Sequence, residues 1–249
     1  MEYYRFLLYI IFGVLPSLTW LFYYLRKDLH PEPKRMILKN FLYGGLITIP
    51  VFLIQISLSE LLKKLQIFTI FTDYQIITDI LKWFIVIALT EEILKYLVVK
   101  LNVFNSYVLD EPLDVMLYMV VVALGFSAVE NILYLFSPID NISFNMIIKT
   151  TFIISFIRFI GATFLHTLCS ATLGYFIAMS FLKTKKMLKL TTIGIFIAVF
   201  LHGLYDFSIT TLNPPLNFAI PIIIITGLSI FVIYAFNKTK KMKSICKLN

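Results

Sequence analysis

The sequence predicts an all-α integral membrane protein: a polytopic bundle of about seven transmembrane helices, N-terminus outside and C-terminus cytoplasmic. Three observations predict it. Of the 249 residues, 59% are hydrophobic and only 14% charged, where a soluble domain carries about a quarter charged, and the mean hydropathy is +0.88. The apolar residues form continuous runs of about 20, the length of a helix crossing hydrocarbon, without the alternation of a closed barrel. The basic residues behind the net charge of +8 gather at the ends of those runs, which marks them as topology signals and not as a nucleic-acid footprint.

The spans fall at roughly 4–25, 38–59, 81–100, 114–136, 152–181, 190–211 and 216–236, in one membrane-embedded domain covering 1–249. The first is too long for a signal h-region and lacks a small-residue cleavage site, so it reads as a retained helix. After the second, Leu61, Leu62, Leu65 and Phe68 predict a short helix lying on the outer interface. The fifth is long enough to tilt or to project from the bilayer. Pro16, Pro50 and Pro221 predict kinks. Orientation comes from three basic connections: Arg26, Lys27, Lys34, Arg35 and Lys39; Lys183, Lys185, Lys186 and Lys189; and Lys238, Lys240, Lys241, Lys243 and Lys247. With seven spans all three lie on one side, which the positive-inside rule makes cytoplasmic. The loops around Asp140 and Pro214-Pro215 are nearly free of basic residues; Lys63 and Lys64 and the weakly basic stretch from Leu101 to Leu113 run mildly against the assignment. Cys169 lies in an apolar helix and Cys246 in a basic tail, which argues against a disulfide framework. The 24 Phe and 14 Tyr read as lipid-facing and interfacial material, and the tail after Tyr234 as an anchor on anionic lipid.

Within these apolar runs stand Glu91, Glu92, Lys95, Glu130, His166, His202 and Asp206. A charge at bilayer depth costs at least about 2.5–3.5 kcal/mol, so such residues mark a site by default. Converting position to depth at about 1.5 Å per residue puts Glu91, Glu92, His166 and His202 near the middle of their spans, and Glu130 about 7 Å outward. Four helices thus present polar groups in one slab. Glu91 with Lys95, Phe126 with Glu130, and His202 with Asp206 are each spaced i, i+4, on one helix face. Glu91 and Glu92 diverge by about 100° around their helix, so one faces a cavity while the other must bond to a neighbouring helix.

At these residues the chain resembles the PrsW family of intramembrane proteases. Glu91-Glu92-x-x-Lys95, Phe126-x-x-x-Glu130 and His202-x-x-x-Asp206 match the family's three motifs in order and rough spacing. The first loop, Arg26-Lys27-Asp28-Leu29-His30-Pro31-Glu32-Pro33, is similar to the family's basic stretch followed by Pro-Glu-Pro, and Asn131 and Arg158 also fit. The resemblance covers about residues 12 to 236. It implies a polytopic protease, distantly related to the CAAX prenyl proteases, in the bacterial cell membrane. The implied substrate is a single-pass membrane protein of the anti-sigma-factor type, cut first on its extracytoplasmic side in a stress response.

A buried carboxylate is a stronger base than one in water, which makes Glu91 or Glu92 the candidate general base. His202, oriented by Asp206, reads as an oxyanion-stabilising group or a metal ligand. Glu130 with Asn131 reads as an interhelical hydrogen-bonding pair or as a second carboxylate of the site. His166 reads equally as a packing residue and as a ligand, and Arg158 as an interfacial anchor or as a countercharge. A divalent metal such as zinc would draw on Glu130, His166, His202 and Asp206; the sequence lacks His-Glu-x-x-His and leaves metal and metal-free chemistry both open. Two rival readings use the same residues: an ion- or proton-coupled transporter, which predicts inverted repeats not visible here, and a non-catalytic membrane scaffold.

Overall fold

A backbone in hydrocarbon must satisfy its polar groups within itself, and among the described residues every regular element is helical. The computed structural model describes residues 2–28, 30–68, 75–106, 108–136, 144–182 and 184–242. Its α-helices are α1 (Glu2–Leu25), α2 (Lys34–Leu46), α3 (Thr48–Phe68), α4 (Gln75–Ile80), α5 (Thr90–Asn102), α6 (Pro112–Leu135), α7 (Phe144–Ile160), α8 (Ala162–Leu182), α9 (Met187–Thr211) and α10 (Leu216–Thr239). A π-helix, Leu81–Leu89, joins α4 to α5, and a 3₁₀ turn, Thr184–Lys186, precedes α9.

Among the described residues, six stretches are long and apolar enough to cross a membrane: Tyr3–Leu25, Lys34–Lys64, Pro112–Leu135, Asn145–Phe181, Met187–Thr211 and Leu216–Thr239. The remaining expected span, 81–100, is helical throughout but carries Lys82, Glu91, Glu92 and Lys95. Its polarity reflects what it holds at the bundle's centre. Large apolar side chains such as Ile157, Ile223 and Ile230 stand more than 60% exposed, a surface suited to lipid and not to water. The chain is therefore a multi-pass membrane protein.

Two expectations change. The residues from Leu61 to Phe68 continue α3, so they do not form a separate interfacial helix; the side chains of Leu65 and Phe68 lie outside the described residues. Span two and span five are both longer than expected, 31 and 37 residues, and each turns once. Span two turns at Ile47, three residues ahead of Pro50, whose ring crowds the carbonyl of Leu46 and removes a backbone donor. Span five turns at Gly161, where a Cβ would meet the Tyr205 hydroxyl and the Ile157 carbonyl. Pro16 and Pro221 sit inside α1 and α10. Asp140, Lys183, Lys243, Lys247 and Cys246 lie outside the described residues, and Cys169 is buried as a free thiol.

Helix α6 is the centre of the bundle. Every residue from 112 to 128 is buried, as expected of a helix that is apolar all round. It starts where Pro112 follows a capping box, Glu111 and Asp114 each accepting from the other's backbone N–H. Glu32 of the Pro-Glu-Pro loop accepts a hydrogen bond from the Tyr118 hydroxyl, tying loop one to α6, and burial holds the Glu32 carboxyl above the usual carboxylate range. Small residues let neighbours reach α6. A Cβ on Gly125 would run into the Phe41 carbonyl of α2, and one on Gly44 into the Val122 carbonyl of α6. Backbone cannot yield as a side chain does, so Gly125→Leu is expected to destabilise the protein by about 3 kcal/mol. Gly227→Leu, where a Cβ meets open space, should stay within about 0.5 kcal/mol, both read by unfolding in mixed micelles.

Candidate active site

The π-helix widens the turn just ahead of the two glutamates, a feature frequent at functional sites. Thr90 closes it, its hydroxyl donating to the carbonyls of Val86 and Ile87 at 2.6 and 2.9 Å. Gly203 lets α9 lie against this segment, since a Cβ there would meet the Phe84 ring at 2.9 Å. Helix α5 then delivers Glu91, Glu92 and Lys95 to the faces of α6, α8 and α9, the helices that carry the other predicted residues.

The consecutive glutamates have different surroundings. Glu92, fully buried, has both oxygens engaged: its Oε1 accepts from Lys95 Nζ at 2.8 Å and from His202 Nδ1 at 3.0 Å, and its Oε2 from the Ser170 hydroxyl at 3.2 Å. Glu91 accepts from Gln55 Nε2 at 3.0 Å on Oε1, while its buried Oε2 has no hydrogen-bond partner. That oxygen lies 3.5 Å from Lys95 Nζ, 3.8 Å from His166 Nδ1 and 3.9 Å from His202 Nε2. Lys95, also fully buried, lies over the face of Phe126, 4.5 Å from the ring centroid, so it neutralises the glutamates and does not reach the membrane surface.

His166 stands at the middle of the cluster. An ammonium only donates, so Lys95 Nζ, at 3.0 Å, makes Nδ1 the acceptor, and Nε2–H then donates to Glu130 Oε2 at 2.9 Å. The edge of Phe126 and the ring of His202 pack on His166, with centroids 5.6 and 4.9 Å away. Arg158 Nη2 donates to Glu130 Oε2 at 2.6 Å, and its Nε to the side-chain Oδ1 of Asn131, so Arg158 is a countercharge inside the bundle. Asn131 donates in turn to Gly13 of α1 and to Thr163 of α8. His202 Nε2 lies 3.3 Å from Asp206 Oδ2, the i, i+4 contact expected from their spacing. The sequence-selected residues thus come together in one network.

Four carboxylates, Glu91, Glu92, Glu130 and Asp206, meet two fixed cations, Lys95 and Arg158, leaving two negative charges for other groups to balance. Both histidines becoming charged, or one divalent cation, would do so. Ligand atoms of Glu91, His166 and His202 all lie within 4.8 Å of one another. Glu130 is already held by Arg158, and Asp206 touches only the His202 side. Beside the cluster opens a cavity of about 680 Å³, lined by Gln55, Glu91, Glu130, Arg158, His166 and Asp206 among others. Phe52, Tyr134 and Ile157 also line it and are each more than half exposed, so the cavity opens sideways, toward lipid.

Residues 32–236 match a family model described as PrsW family intramembrane metalloprotease. The chain belongs to the PrsW family. It is similar to Protease PrsW of Bacillus subtilis, 26% identical over 237 residues and 94% of each chain. Protease PrsW of Oceanobacillus iheyensis is 28% identical over 195 residues, 78% of this chain and 80% of its own. Protease PrsW of Geobacillus kaustophilus is 29% identical over 195 residues, 78% of this chain and 76% of its own. No solved structure matches at a significant level. As a PrsW-family member the chain is a peptidase of the membrane interior, which sets the transport and scaffold readings aside.

Two site residues were not singled out in the sequence. Gln55 is a lone amide in a strongly apolar stretch, a signal of the same kind as the buried acids. Ser170 lies one turn after His166 on its face, but a serine in a membrane helix is too common to announce itself.

Proposed function

We propose that this PrsW-family peptidase cuts single-pass membrane-anchored proteins on their extracytoplasmic side, as the first cleavage of an anti-sigma-factor type substrate. Its setting is a bacterial cell membrane, with the N-terminus outside and the C-terminus in the cytoplasm. The observation that carries the reading is Glu91 Oε2, buried and without a hydrogen bond where His166 and His202 meet at the cavity wall.

Glu91 is the general base. Its free oxygen takes a proton from water as the water oxygen adds to the scissile carbonyl carbon, and returns it to the amine as the C–N bond breaks. Glu92 accepts three hydrogen bonds, with both oxygens engaged, and instead holds His202 through Nδ1, leaving Nε2–H, which faces Asp206, to donate to the developing oxyanion. Lys95 and the Glu130–Arg158 pair fix the charges around His166. In place of proton transfer by Glu91, and with Lys95 turned off His166 Nδ1, the donor set would hold a divalent ion such as zinc on Glu91, His166 and His202, with Glu92 behind His202 and Glu130 behind His166 as outer carboxylates. Bound there, the ion would supply Lewis-acid polarisation of the carbonyl and of water.

Two measurements test this. Co-expression with a panel of tagged single-pass proteins should show fragments with wild type and none with His202→Ala; undiminished cleavage by that variant would falsify the assignment. Elemental analysis of the purified protein should find about one zinc per chain in wild type, lost in His166→Ala and His202→Ala. Fully active protein free of metal would rule out the ion and leave the Glu91 chemistry standing.

A further inference from the structure

The cavity wall holds a second unpartnered group that the chemistry above does not use. The Thr48 hydroxyl of α3 is buried and makes no hydrogen bond, and the residue is only 5% exposed. Helical threonines elsewhere bond back to the carbonyl four residues earlier, as Thr19 does to Leu15, Thr167 to Thr163 and Thr172 to Leu168. Thr48 follows the turn at Ile47 and does not. Two turns along the same face stands Gln55. One N–H of its amide goes to Glu91 Oε1, which leaves the second N–H and the amide carbonyl for another partner. Thr48, Val51 and Gln55, spaced i, i+3, i+7, form the seam by which α3 meets the cavity, with Phe52 at its lateral mouth, while Leu53 turns outward.

A peptide bond within a helix is shielded, so a membrane-anchored substrate must be unwound before it is cut. Its freed N–H and C=O groups then need partners in a cavity where water is scarce. Thr48 and Gln55 are separated by about 10.5 Å along α3, close to the roughly 10 Å spanned by three residues of extended chain.

We propose that Thr48 and Gln55 form a subsite that binds the backbone of an unwound, extended substrate strand running along α3 to Glu91. The inference rests on the peptidase reading above and deepens it. The strand enters through the lateral opening beside Phe52 and Ile157, whose apolar side chains meet those of the incoming segment. Backbone contacts of this kind select for an extended segment and not for a particular side chain. Gln55 is in addition a positioning residue, since it holds Glu91 while touching the strand.

Disulfide trapping tests it without requiring turnover. Cysteine is placed singly at 48, 55 and the outward-facing 53 in the full chain, with Cys169 and Cys246 changed to alanine. The probe is a set of synthetic single-span peptides in liposomes, a leucine-rich helix interrupted by a short glycine-serine stretch, with one cysteine moved through that stretch. Positions 48 and 55 should each trap the stretch, at probe residues three apart, with little trapping at 53. Failure at 48 or at 55, equal trapping at 53, or the same probe residue preferred by both overturns the subsite. On any reporter that wild type cleaves, Thr48→Val should raise KM about 3–10-fold with kcat within about twofold, whereas Gln55→Leu should lower kcat as well. An unchanged KM for Thr48→Val overturns the subsite while leaving the peptidase reading intact; the absence of any cleavable reporter counts against that reading, and the trapping result still decides the subsite.

Discussion

Replacing Glu91 by glutamine should slow cleavage of a membrane-anchored reporter by about 10²–10⁴-fold without unfolding the protein. The substitution keeps shape and size, and the amide oxygen still accepts from Gln55 Nε2. What it removes is a carboxylate oxygen that makes no hydrogen bond and meets the Lys95 ammonium only at 3.5 Å, so no hydrogen bond on Oε2 is lost. An oxygen whose only role was structural would not stand without a hydrogen bond in a buried site, because that arrangement costs stability. The neighbouring Glu92→Gln behaves differently: it disturbs three hydrogen bonds, to Lys95, His202 and Ser170, and should cost both stability and activity. Initial rates in proteoliposomes, paired with an unfolding measurement on each variant, separate the two. A Glu91→Gln enzyme retaining more than about a tenth of wild-type activity would place the base elsewhere.

Lys95→Met should lower stability by about 3–5 kcal/mol, among the largest effects expected of a single change in this chain. Its ammonium is wholly buried and touches Glu92, Glu91 and His166. Without it the carboxylates remain in a low-dielectric interior with no fixed cation on that side, and removing one partner of a buried pair costs far more than the pair itself contributes. The double change Lys95→Met with Glu92→Gln should recover much of the loss, because the stranded charge goes with the cation. Unfolding in mixed micelles reads both variants against wild type; no recovery in the double variant would mean that the lysine stem's packing on Phe126, and not its charge, carries the effect.

The sequence alone determined the membrane bundle, the approximate spans and the group of residues that share a site. It could do so because each of these is a local property. A run of apolar residues is a spanning helix wherever it packs, an acid at mid-span is costly whatever its neighbour, and i, i+4 pairs such as His202 and Asp206 share a face by helical geometry. Errors arose where a local signal had two outcomes. The leucines after residue 60 continue α3 in the same conformation that an interfacial helix would have used.

Only the tertiary structure decided between residues that are equivalent along the chain. Glu91 and Glu92 are adjacent and chemically alike, and they differ because Lys95, His202 and Ser170 surround one while Gln55 alone donates to the other. His166 is a lone histidine in sequence and the hub of the network in space, because Lys95 arrives from α5 and Glu130 from α6. Which helix stands opposite a given face is set by packing around α6, where glycines such as Gly44 and Gly125 fix how closely the backbones approach. That information is spread over residues far apart in the chain, so no window of sequence holds it.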